Sequence, residues 1–384
     1  MKLPFDTPWM SDPKVARVCA AFENGGYEIF FVGGCVRNAV LGEAASDIDM
    51  STNAMPKMVM QLAKDAGLKA IPTGIDHGTI TVVASGTSFE VTTFRRDVET
   101  DGRRAVVAFS NDIKDDARRR DFTMNALYAR PDGTIVDPLG GMEDALERRV
   151  RFIENADQRI REDYLRTLRF FRFSAWYGLA EQGFDPAALN AIASNLDGLD
   201  SLSAERVGAE LLKLLSAPDP APAVAGMRQT GVLQSVLMGA DDTWLAPLVH
   251  VEKLLGISPE PIRRLASLGG DDIESTLRLS KAQSRQLKAM RDGIGSMTGV
   301  VELGYRLGES LAIGIYGLRC AFAGTPPAEE TANEIKAAAK QKFFIKAADL
   351  NDQFTGPALG QKLKELEAEW IASGFQKTKS QLLG

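Results

Sequence analysis

The stretch FVGGCVRNAVLGEAASDIDM, residues 31–50, carries the strongest sequence signal for the fold. Its order predicts a buried strand, a glycine turn, a helix start and an extended segment that carries two carboxylates. Alternate residues of an extended segment point the same way, so Asp47 and Asp49 share a face while Ile48 faces the core. Two carboxylates at this spacing form a hard-oxygen site suited to Mg²⁺. For this motif taken alone, solvated aspartates on a plain strand are the alternative.

The glycine pair of the same stretch predicts a phosphate site. Gly33 and Gly34 follow the apolar run 29–32 and let backbone approach a ligand closely at a helix start. Exposed amide groups at a helix N-terminus favour phosphate oxygens. Because Arg37 follows on the helix, the whole stretch indicates a metal-dependent nucleotide site.

Composition bounds the protein class. A chain of 384 residues exceeds the usual size of one domain, and its 45% hydrophobic and 25% charged residues are typical of a soluble globular protein. We expect no membrane span and no signal peptide. Cys19, Cys35 and Cys320 are scattered and odd in number, which favours a reducing, cytoplasmic compartment; they lack the spacing of zinc ligands. At a net charge of -6, any nucleic-acid partner must bind a local patch.

The chain changes character near residue 148. Before it, short runs rich in β-branched residues alternate with turns, which predicts a mixed α/β sheet; beyond it, helical periodicity dominates. The predicted strands cover 29–32, 79–84, 89–94, 105–109 and 134–137. Proline-rich segments at 216–222 and 324–328 are interpreted as linkers between helical units.

An arginine cluster lies between the predicted strands and helices, in DDARRRDFTMNA, residues 115–126. Arg118, Arg119 and Arg120 could bind a triphosphate bidentately while the adjacent Asp121 orients one of them. A solvated, self-paired charge run is the alternative.

A second cluster lies in REDYLRTLRFFRF, residues 161–173, which we interpret as one largely apolar helix. From Asp163 onward a charged residue recurs every three positions, at Arg166, Arg169 and Arg172, and Glu162 precedes the series. Asp163 and Arg166 would then sit side by side and present an acceptor and a forked donor to the edge of a nucleobase. Ordinary i,i+3 salt bridging is the alternative.

Four motifs in order resemble those of the class II nucleotidyltransferases, the tRNA CCA-adding enzymes and bacterial poly(A) polymerases. They are Gly33-Gly34-x-Val36-Arg37, Asp47-x-Asp49, Arg119-Arg120-Asp121 and Glu162-Asp163-x-x-Arg166. The resemblance covers roughly the first 175 residues and continues more weakly to residue 375. It implies an α/β head of the polymerase-β nucleotidyltransferase type followed by all-α parts. We expect the head at 1–148, a neck at 149–215, a body at 216–325 and a tail at 326–384.

The resemblance also implies a reaction: template-independent addition of CCA to the 3′ end of tRNA from CTP and ATP, with release of pyrophosphate. Asp47 and Asp49 would bind two Mg²⁺ ions. Glu90 is our candidate for a third carboxylate, because it faces away from its apolar neighbours Phe89 and Val91.

Nucleotide binding is likewise implied by resemblance. Phosphate contacts would come from the glycine turn, Arg37 and Arg120, and Asp163 and Arg166 would act as a protein template that reads CTP first and ATP afterwards. The full set of implied nucleotide-binding residues is Gly33, Gly34, Arg37, Arg120, Asp121, Asp163, Arg166, Arg169 and Arg172.

Two departures from the family pattern are visible. Asn38 stands where an aspartate usually follows the motif arginine, and we expect its amide oxygen still to accept a hydrogen bond from Arg37. Segment 93–109 resembles the flexible loop that helps full CCA enzymes switch to ATP, although Arg104 stands where histidine is frequent.

Several functions stay open at this point. A poly(A) polymerase of this family usually carries a long basic extension, whereas this chain is acidic and ends soon after Trp370, which favours tRNA. A CC-only or A-only enzyme and a catalytically silent RNA-binding protein also stay open. A basic stripe at helical spacing could pair with RNA phosphates, or could be an ordinary solvated helix face: Arg278, Lys281, Arg285 and Lys288.

Overall fold

The computed structural model describes residues 1–4, 7–45, 47–101, 104–350 and 353–384. Contacts divide the chain into two compact units, Met1–Met238 and Gly239–Gly384. Within the described ranges, no helix combines the length and the apolar character needed to cross a membrane.

The first unit contains the mixed α/β head that the sequence predicts. Among the described residues, seven strands form one sheet in the order β3-β4-β5-β2-β1-β8-β9. Their bounds are β1 Ile29–Val32, β2 Asp49–Thr52, β3 Lys69–Gly74, β4 Thr79–Ala84, β5 Thr87–Thr93, β8 Tyr128–Ala129 and β9 Ile135–Val136. A separate hairpin consists of β6 Arg95–Asp101 and β7 Arg104–Phe109.

The predicted strands are confirmed with small shifts at their ends. β1 and β4 match residue for residue, and β5 begins two residues earlier than expected. The predicted flexible loop at 93–109 contains the β6–β7 hairpin; residues 102 and 103 and the side chain of Arg104 lie outside the described residues.

Residues 31–50 contribute to the two strands at the centre of the sheet. All four residues of β1 are buried, as expected for a strand covered on both faces. β1 pairs antiparallel with β2 and β8, whereas β2 pairs parallel with β5. The carboxylate-bearing strand β2 therefore lies between the strand that precedes the glycine turn and the strand that carries Glu90.

Helices surround the sheet and continue beyond it in the first unit. Their bounds are α1 Pro13–Asn24, α2 Gly34–Leu41, α3 Pro56–Asp65, α4 Ile113–Arg118, α5 Gly141–Leu146, α6 Ala156–Glu162, α7 Leu165–Tyr177, α8 Pro186–Ala193, α9 Ala204–Leu215, α10 Ala221–Gln229 and α11 Val232–Val236. Ser203 caps α9 through the Arg206 N–H, as its sequence position predicts.

The expectation of one helix across residues 161–173 is wrong. α6 ends at Glu162, Asp163 adopts an extended conformation with φ -154° and ψ 104°, and α7 begins at Leu165. The Asp163 carboxylate accepts a hydrogen bond from the Leu165 N–H at 3.1 Å, so it satisfies a donor that the new helix leaves open.

Aromatic packing attaches α7 to the head. Phe170 is fully buried, and its ring centroid lies 5.6 Å from that of Phe152 in a stacked arrangement. The Phe122 centroid lies 5.1 Å from that of Phe173, one turn further along the helix. Because buried aromatic pairs add attraction to their large apolar area, these contacts fix the helix that carries Arg166, Arg169 and Arg172.

The second unit is helical in its described part. Its helices are α12 Leu245–Leu255, α13 Pro261–Leu268, α14 Ile273–Thr276, α15 Lys281–Gly295, α16 Val300–Leu307, α17 Glu309–Ala323, α18 Glu329–Ala338, α19 Gly356–Ala372 and α20 Lys379–Leu383. Ser280 caps α15 in a reciprocal capping box with Gln283. Near the chain end, Trp370 packs with Tyr305, Phe343 and Phe375 in an aromatic core.

Candidate active site

Two carboxylates are neighbours at the end of the central strands, and a third lies just before the first of them in the chain. Asp49 opens β2 and is the register partner of Glu90 on β5, so the two side chains are neighbours on one face of the sheet. Glu90 is exposed between buried Phe89 and Val91, which confirms the predicted alternation. Asp47 lies two residues before Asp49 and is also exposed.

The neighbouring carboxylates influence Asp49. Desolvation, the neighbouring Glu90 and Asp47 raise the pKa of Asp49, whereas Arg120 acts in the opposite direction. A carboxylate whose pKa is raised by other carboxylates gains most from a bound cation. Within the described residues, no three acidic, histidine or cysteine side chains form a ready metal cluster. Two carboxylates completed by substrate phosphates are nevertheless the usual arrangement for Mg²⁺.

The glycine turn lies next to these carboxylates. Gly33 has φ 71° and ψ -121°, a conformation that residues with a Cβ rarely adopt, and α2 begins at Gly34. A Cβ at Gly33 would lie 3.2 Å from Nη1 of Arg120. The Arg120 guanidinium is thus close to both the helix N-terminus and Asp49. A phosphate bound there would contact both the helix N-terminus and Arg120.

Arg37 is buried in the first unit, with its side chain held from several sides. Its Nε and Nη2 donate to Oδ1 of Asn38 at 3.1 and 2.8 Å, and its Nη1 donates to Oδ1 of Asn125. The predicted acceptor role of Asn38 is confirmed. The guanidinium carbon lies 3.8 Å from the Tyr177 ring centroid, and burial lowers the pKa of Arg37.

The arginine cluster is organised by an acid that the sequence reasoning did not select. Asp116, fully buried, accepts from Arg119 Nη2 at 2.7 Å and from Arg120 Nη2 at 3.2 Å. The expectation that Asp121 orients an arginine of this cluster is wrong, because its partner lies elsewhere. The signal was present: Asp116 precedes the two arginines by three and four residues, the spacing of helical ion pairs.

Asp121 binds the second cluster instead. Its Oδ2 accepts from Arg169 Nε and Nη2 at 2.8 and 2.5 Å, and its Oδ1 accepts from Asn125 Nδ2 at 2.9 Å. Burial acts to raise the pKa of Asp121, but Arg169, Asn125 and the Phe122 N–H together lower it to about 2. Through Asn125, the carboxylate also connects Arg169 to Arg37.

The proposed template pair is not a pair in this structure. The Arg166 N–H donates to the Asp163 carbonyl at 3.0 Å, but the Asp163 carboxylate accepts from Nη2 of Arg206 on α9 at 2.8 and 3.0 Å. Nη1 of Arg166 donates to Glu162 at 2.6 Å and to the Arg159 carbonyl at 2.8 Å, and its Nη2 donates to the Arg119 carbonyl at 3.1 Å. Each template candidate therefore has its own protein partners.

Arg172 completes this side of the site. Its Nε donates to Oε2 of Glu210 on α9 at 2.5 Å, and its guanidinium carbon lies 4.5 Å from the Phe173 ring centroid. Glu210 is buried and also lies 4.0 Å from Arg169. Sequence reasoning missed this residue and the role of Arg206. Their spacing of four on one helix was the available signal, since it places both on one face.

The residues of the predicted basic stripe are exposed, which fits both an RNA-binding surface and an ordinary solvated helix face. Lys281, Arg285 and Lys288 are exposed on α15, and Lys288 pairs with Asp292 at 3.1 Å. Arg278 is exposed too, but it precedes the Ser280 cap with φ 47° and so is not on the helix.

Comparisons with known families agree with this geometry. The family described as the poly A polymerase head domain matches residues 29–151. A second family, described as the probable RNA and SrmB-binding site of polymerase A, matches residues 183–242.

Known relatives are similar over a large part of the chain. The human mitochondrial CCA tRNA nucleotidyltransferase 1 is 39% identical over 249 residues, which are 64% of this chain and 57% of that protein. The CCA-adding enzyme of Geobacillus thermodenitrificans is 41% identical over 211 residues, which are 54% of this chain and 50% of that protein. The chain thus spans a little over half the length of the curated relatives that it matches.

Solved structures extend the likeness to nearly the whole fold. The Bacillus stearothermophilus CCA-adding enzyme in complex with CTP aligns with a TM-score of 0.72 at 26% identity and covers 94% of this chain and 92% of that one. The Thermotoga maritima CCA-adding enzyme complexed with tRNA aligns with a TM-score of 0.70 at 18% identity, over 100% and 98% of the chains, which supports the same fold.

Proposed function

We propose that this chain is a class II nucleotidyltransferase that adds CCA to the 3′ end of tRNA from CTP and ATP. The reaction is nucleotidyl transfer: the RNA 3′ hydroxyl oxygen bonds to the α-phosphorus, and pyrophosphate leaves. The relatives just described are named for this reaction, which supports the proposal.

One observation carries the proposal: the register of β2 and β5 places Asp49 beside Glu90, next to the glycine turn and Arg120. Gathered carboxylates beside a phosphate-binding helix start suit transfer of a phosphoryl-type group. The clustered negative charge would repel a triphosphate unless a cation offset it. An arrangement that combines carboxylates, a cation and a phosphate site suits few other reactions.

Nucleotidyltransferases of this family generally use a divalent metal, and we propose Mg²⁺, held by Asp47 and Asp49 with Glu90 as third carboxylate. Bound there, Mg²⁺ would favour the ionised RNA hydroxyl and neutralise charge on the leaving pyrophosphate. The exposed oxygen ligands and the raised pKa of Asp49 fit a hard cation.

The chain's own donors would hold the triphosphate. The first N–H groups of α2, which begins at Gly34, have no partner within the helix and would donate to the triphosphate. Arg120 lies beside that turn, and Arg37 lies on the first turns of the same helix. We propose that these groups orient the α-phosphate toward the RNA end.

Base choice would depend on Asp163 and Arg166, supported by Arg169 and Arg172. Because Asp163 is bonded to Arg206 and Arg166 to Glu162, reading a base edge requires either the remaining donor and acceptor positions or an exchange of partners. The pyrimidine and purine edges differ in their donors and acceptors, so a small rearrangement of this pair could change the preferred nucleotide.

We also propose that tRNA is the partner of the helical parts and that the exposed α15 residues contribute phosphate contacts. The division into head, neck, body and tail at residues 148, 215 and 325 stays a prediction. So does a cytoplasmic location, which rests on the three cysteines; some relatives carry the word mitochondrial in their names.

A primer-extension assay tests the function. The purified protein is incubated with Mg²⁺, each labelled nucleotide, and tRNA transcripts that end before the CCA, after C, or after CC. We expect two cytidines and one adenosine to be added, and addition then to stop. Asp47→Ala should abolish incorporation while leaving the thermal melting curve intact.

Different products would identify the competing functions. Long adenosine tails on unrelated RNA would identify a poly(A) polymerase. Addition that stops after CC, or that requires a transcript already ending in CC, would identify a partial enzyme. RNA binding without any incorporation would identify a silent binding protein.

A further inference from the structure

Asp116 is a buried carboxylate that the reaction described above does not use directly. It lies on α4, its side chain has no exposed surface, and it receives hydrogen bonds from three parts of the head. Oδ1 accepts from Arg119 Nε at 2.8 Å. Oδ2 accepts from the Tyr128 hydroxyl at 2.7 Å, from Arg120 Nη2 at 3.2 Å and from the Ser51 hydroxyl at 3.3 Å.

These donors connect Asp116 to both sides of the candidate site. Ser51 is two residues from Asp49 on β2, so Asp116 is anchored to the strand that carries the metal ligand. Tyr128 on β8 accepts in turn from Arg120 Nε at 3.2 Å. Arg120 is therefore held at Nε and Nη2, with its Nη1 directed to the glycine turn.

Charge balance at this point leaves a surplus of one positive charge. One buried carboxylate faces two guanidinium groups, and each of its oxygens already accepts at least two hydrogen bonds. Burial acts to raise the pKa of Asp116, but Arg119, Arg120 and the Tyr128 hydroxyl together lower it to about 2. The carboxylate is thus ionised throughout the range in which enzymes are assayed.

We propose that Asp116 is a positioning residue that fixes the Arg120 guanidinium between the glycine turn and Asp49, where it binds the phosphates of the incoming nucleotide. This inference rests on the proposed function, since it assigns a role within the same nucleotide site. It differs from a merely structural role because it predicts a defect specific to the nucleotide.

The test compares Asp116→Asn with the unaltered protein. An amide at this position turns one accepting oxygen into an N–H donor that faces donors of Arg119, Arg120 or Tyr128. We expect the Kd for ATP and for CTP, measured by equilibrium binding with Mg²⁺ and without RNA, to rise by about ten-fold, the range of a charge-assisted hydrogen bond. KM for the nucleotide should rise similarly, and KM for tRNA should stay within about two-fold.

Asp144→Asn is the matched control. Asp144 is equally buried in the head, but its partners are Arg149 and Arg151 at 3.1 and 2.8 Å and the Thr123 hydroxyl at 2.6 Å, none of which is Arg120. We expect it to lower thermal stability as much as Asp116→Asn does, with nucleotide Kd unchanged.

Tyr128→Phe keeps the test decisive if Asp116→Asn does not fold, because it removes only the hydroxyl between Asp116 and Arg120. It should raise nucleotide Kd about three-fold. Unchanged nucleotide affinity in folded Asp116→Asn or Tyr128→Phe, or an equal loss in Asp144→Asn, would overturn the proposal. If the unaltered protein binds nucleotide but transfers none to tRNA, the proposed function fails while these binding comparisons still decide the role of Asp116.

Discussion

The acidic residues of the head form two groups that the fold treats in opposite ways. Among the rim carboxylates, Asp47, Asp49 and Glu90, strand register places Asp49 beside Glu90, and repulsion from Glu90 and Asp47 contributes to a raised pKa at Asp49. The buried carboxylates, Asp116 and Asp121, lie among arginines, and their pKa values are lowered to about 2 despite burial. The rim therefore suits the cation that we propose, whereas the buried carboxylates are paired with arginines and hold them in place.

The largest effect is expected at the rim. Asp49→Asn should reduce nucleotide incorporation by about a thousand-fold or more, because the metal ligand that we propose next to the reacting phosphate is lost. In metal-free buffer the melting temperature should not fall, since the substitution also removes a carboxylate from beside Glu90.

Asp65→Asn, an exposed aspartate on α3, is the control and should leave both quantities unchanged. Near-normal incorporation by Asp49→Asn would show that the rim is not the metal site.

The buried carboxylates should instead control stability in acid. A carboxylate whose folded pKa is about 2 and whose ordinary pKa is 3.8 stabilises the fold above pH 3.8 and loses that contribution as pH falls through 2. We expect Asp116 and Asp121 each to contribute about 2 kcal/mol to the free energy of unfolding at neutral pH. Urea unfolding followed from about pH 5, above the ordinary pKa, down to about pH 2, at the folded pKa, measures this.

Asp121→Asn should make that stability curve flatter over the same interval. A slope identical to that of the unaltered protein would mean that the ion pair with Arg169 does not lower the pKa as described.

The template residues combine features of both groups, because Asp163 is charged and partly exposed yet already paired with Arg206. Asp163→Ala should lower kcat/KM for CTP and ATP by about 10- to 100-fold, the usual value of a bidentate base contact. Arg206→Ala should cost only about three-fold, since Asp163 keeps its hydrogen bond with the Leu165 N–H.

Steady-state kinetics with both nucleotides distinguish the two variants. If the Arg206→Ala defect were as large as that of Asp163→Ala, Asp163 would act by holding Arg206 and not by binding the base. Arg161→Ala, at an exposed arginine of α6, controls for loss of charge alone.

The glycine turn offers a smaller, geometric test. Gly33→Ala places a Cβ 3.2 Å from Arg120 and forces a residue with a side chain into φ 71° and ψ -121°. We expect a loss of about 1–3 kcal/mol of stability and about a ten-fold rise in nucleotide KM. Gly42→Ala is a matched control: its φ is also 71°, but its ψ of 23° is the ordinary left-handed region and no atom lies within 4 Å of its added Cβ. Equal rises in KM in the two variants would show that contact with Arg120 is unimportant.

The sequence predicted the head because its signals are local. An all-apolar run before two glycines determines β1 and the start of α2, and alternation along β5 identifies Glu90. The parallel pairing of β2 with β5 could not be predicted from the sequence. It joins residues about forty positions apart, and local sequence patterns carry no signal for such a pairing. The family resemblance made Glu90 the candidate third carboxylate, and the structure supplied the strand register that places it beside Asp49.

Charge runs misled the sequence interpretation in a consistent way. Spacing of three made residues 161–173 resemble one helix, whereas the Asp163 side chain competes for backbone donors and begins a new one. Asp116 was overlooked because an acid in a charged run is usually solvated, and burial of its side chain depends on Tyr128 and Ser51 from distant strands.

The smallest effect is expected at Asn38, where the chain departs from the family pattern. Its Oδ1 already accepts two hydrogen bonds from Arg37, and its Nδ2 donates to the Ala44 carbonyl at 2.7 Å. Asn38→Asp would strengthen the first contacts by adding charge beside a buried guanidinium, but it would place a carboxylate oxygen against that carbonyl. Because these effects oppose each other, we expect nucleotide KM to change by less than about three-fold. A change of ten-fold or more would mean that the charge at this position, and not only the hydrogen bond, orients Arg37. Nucleotide binding at the rim would then depend on the neutral side chain of Asn38 as much as on the rim carboxylates.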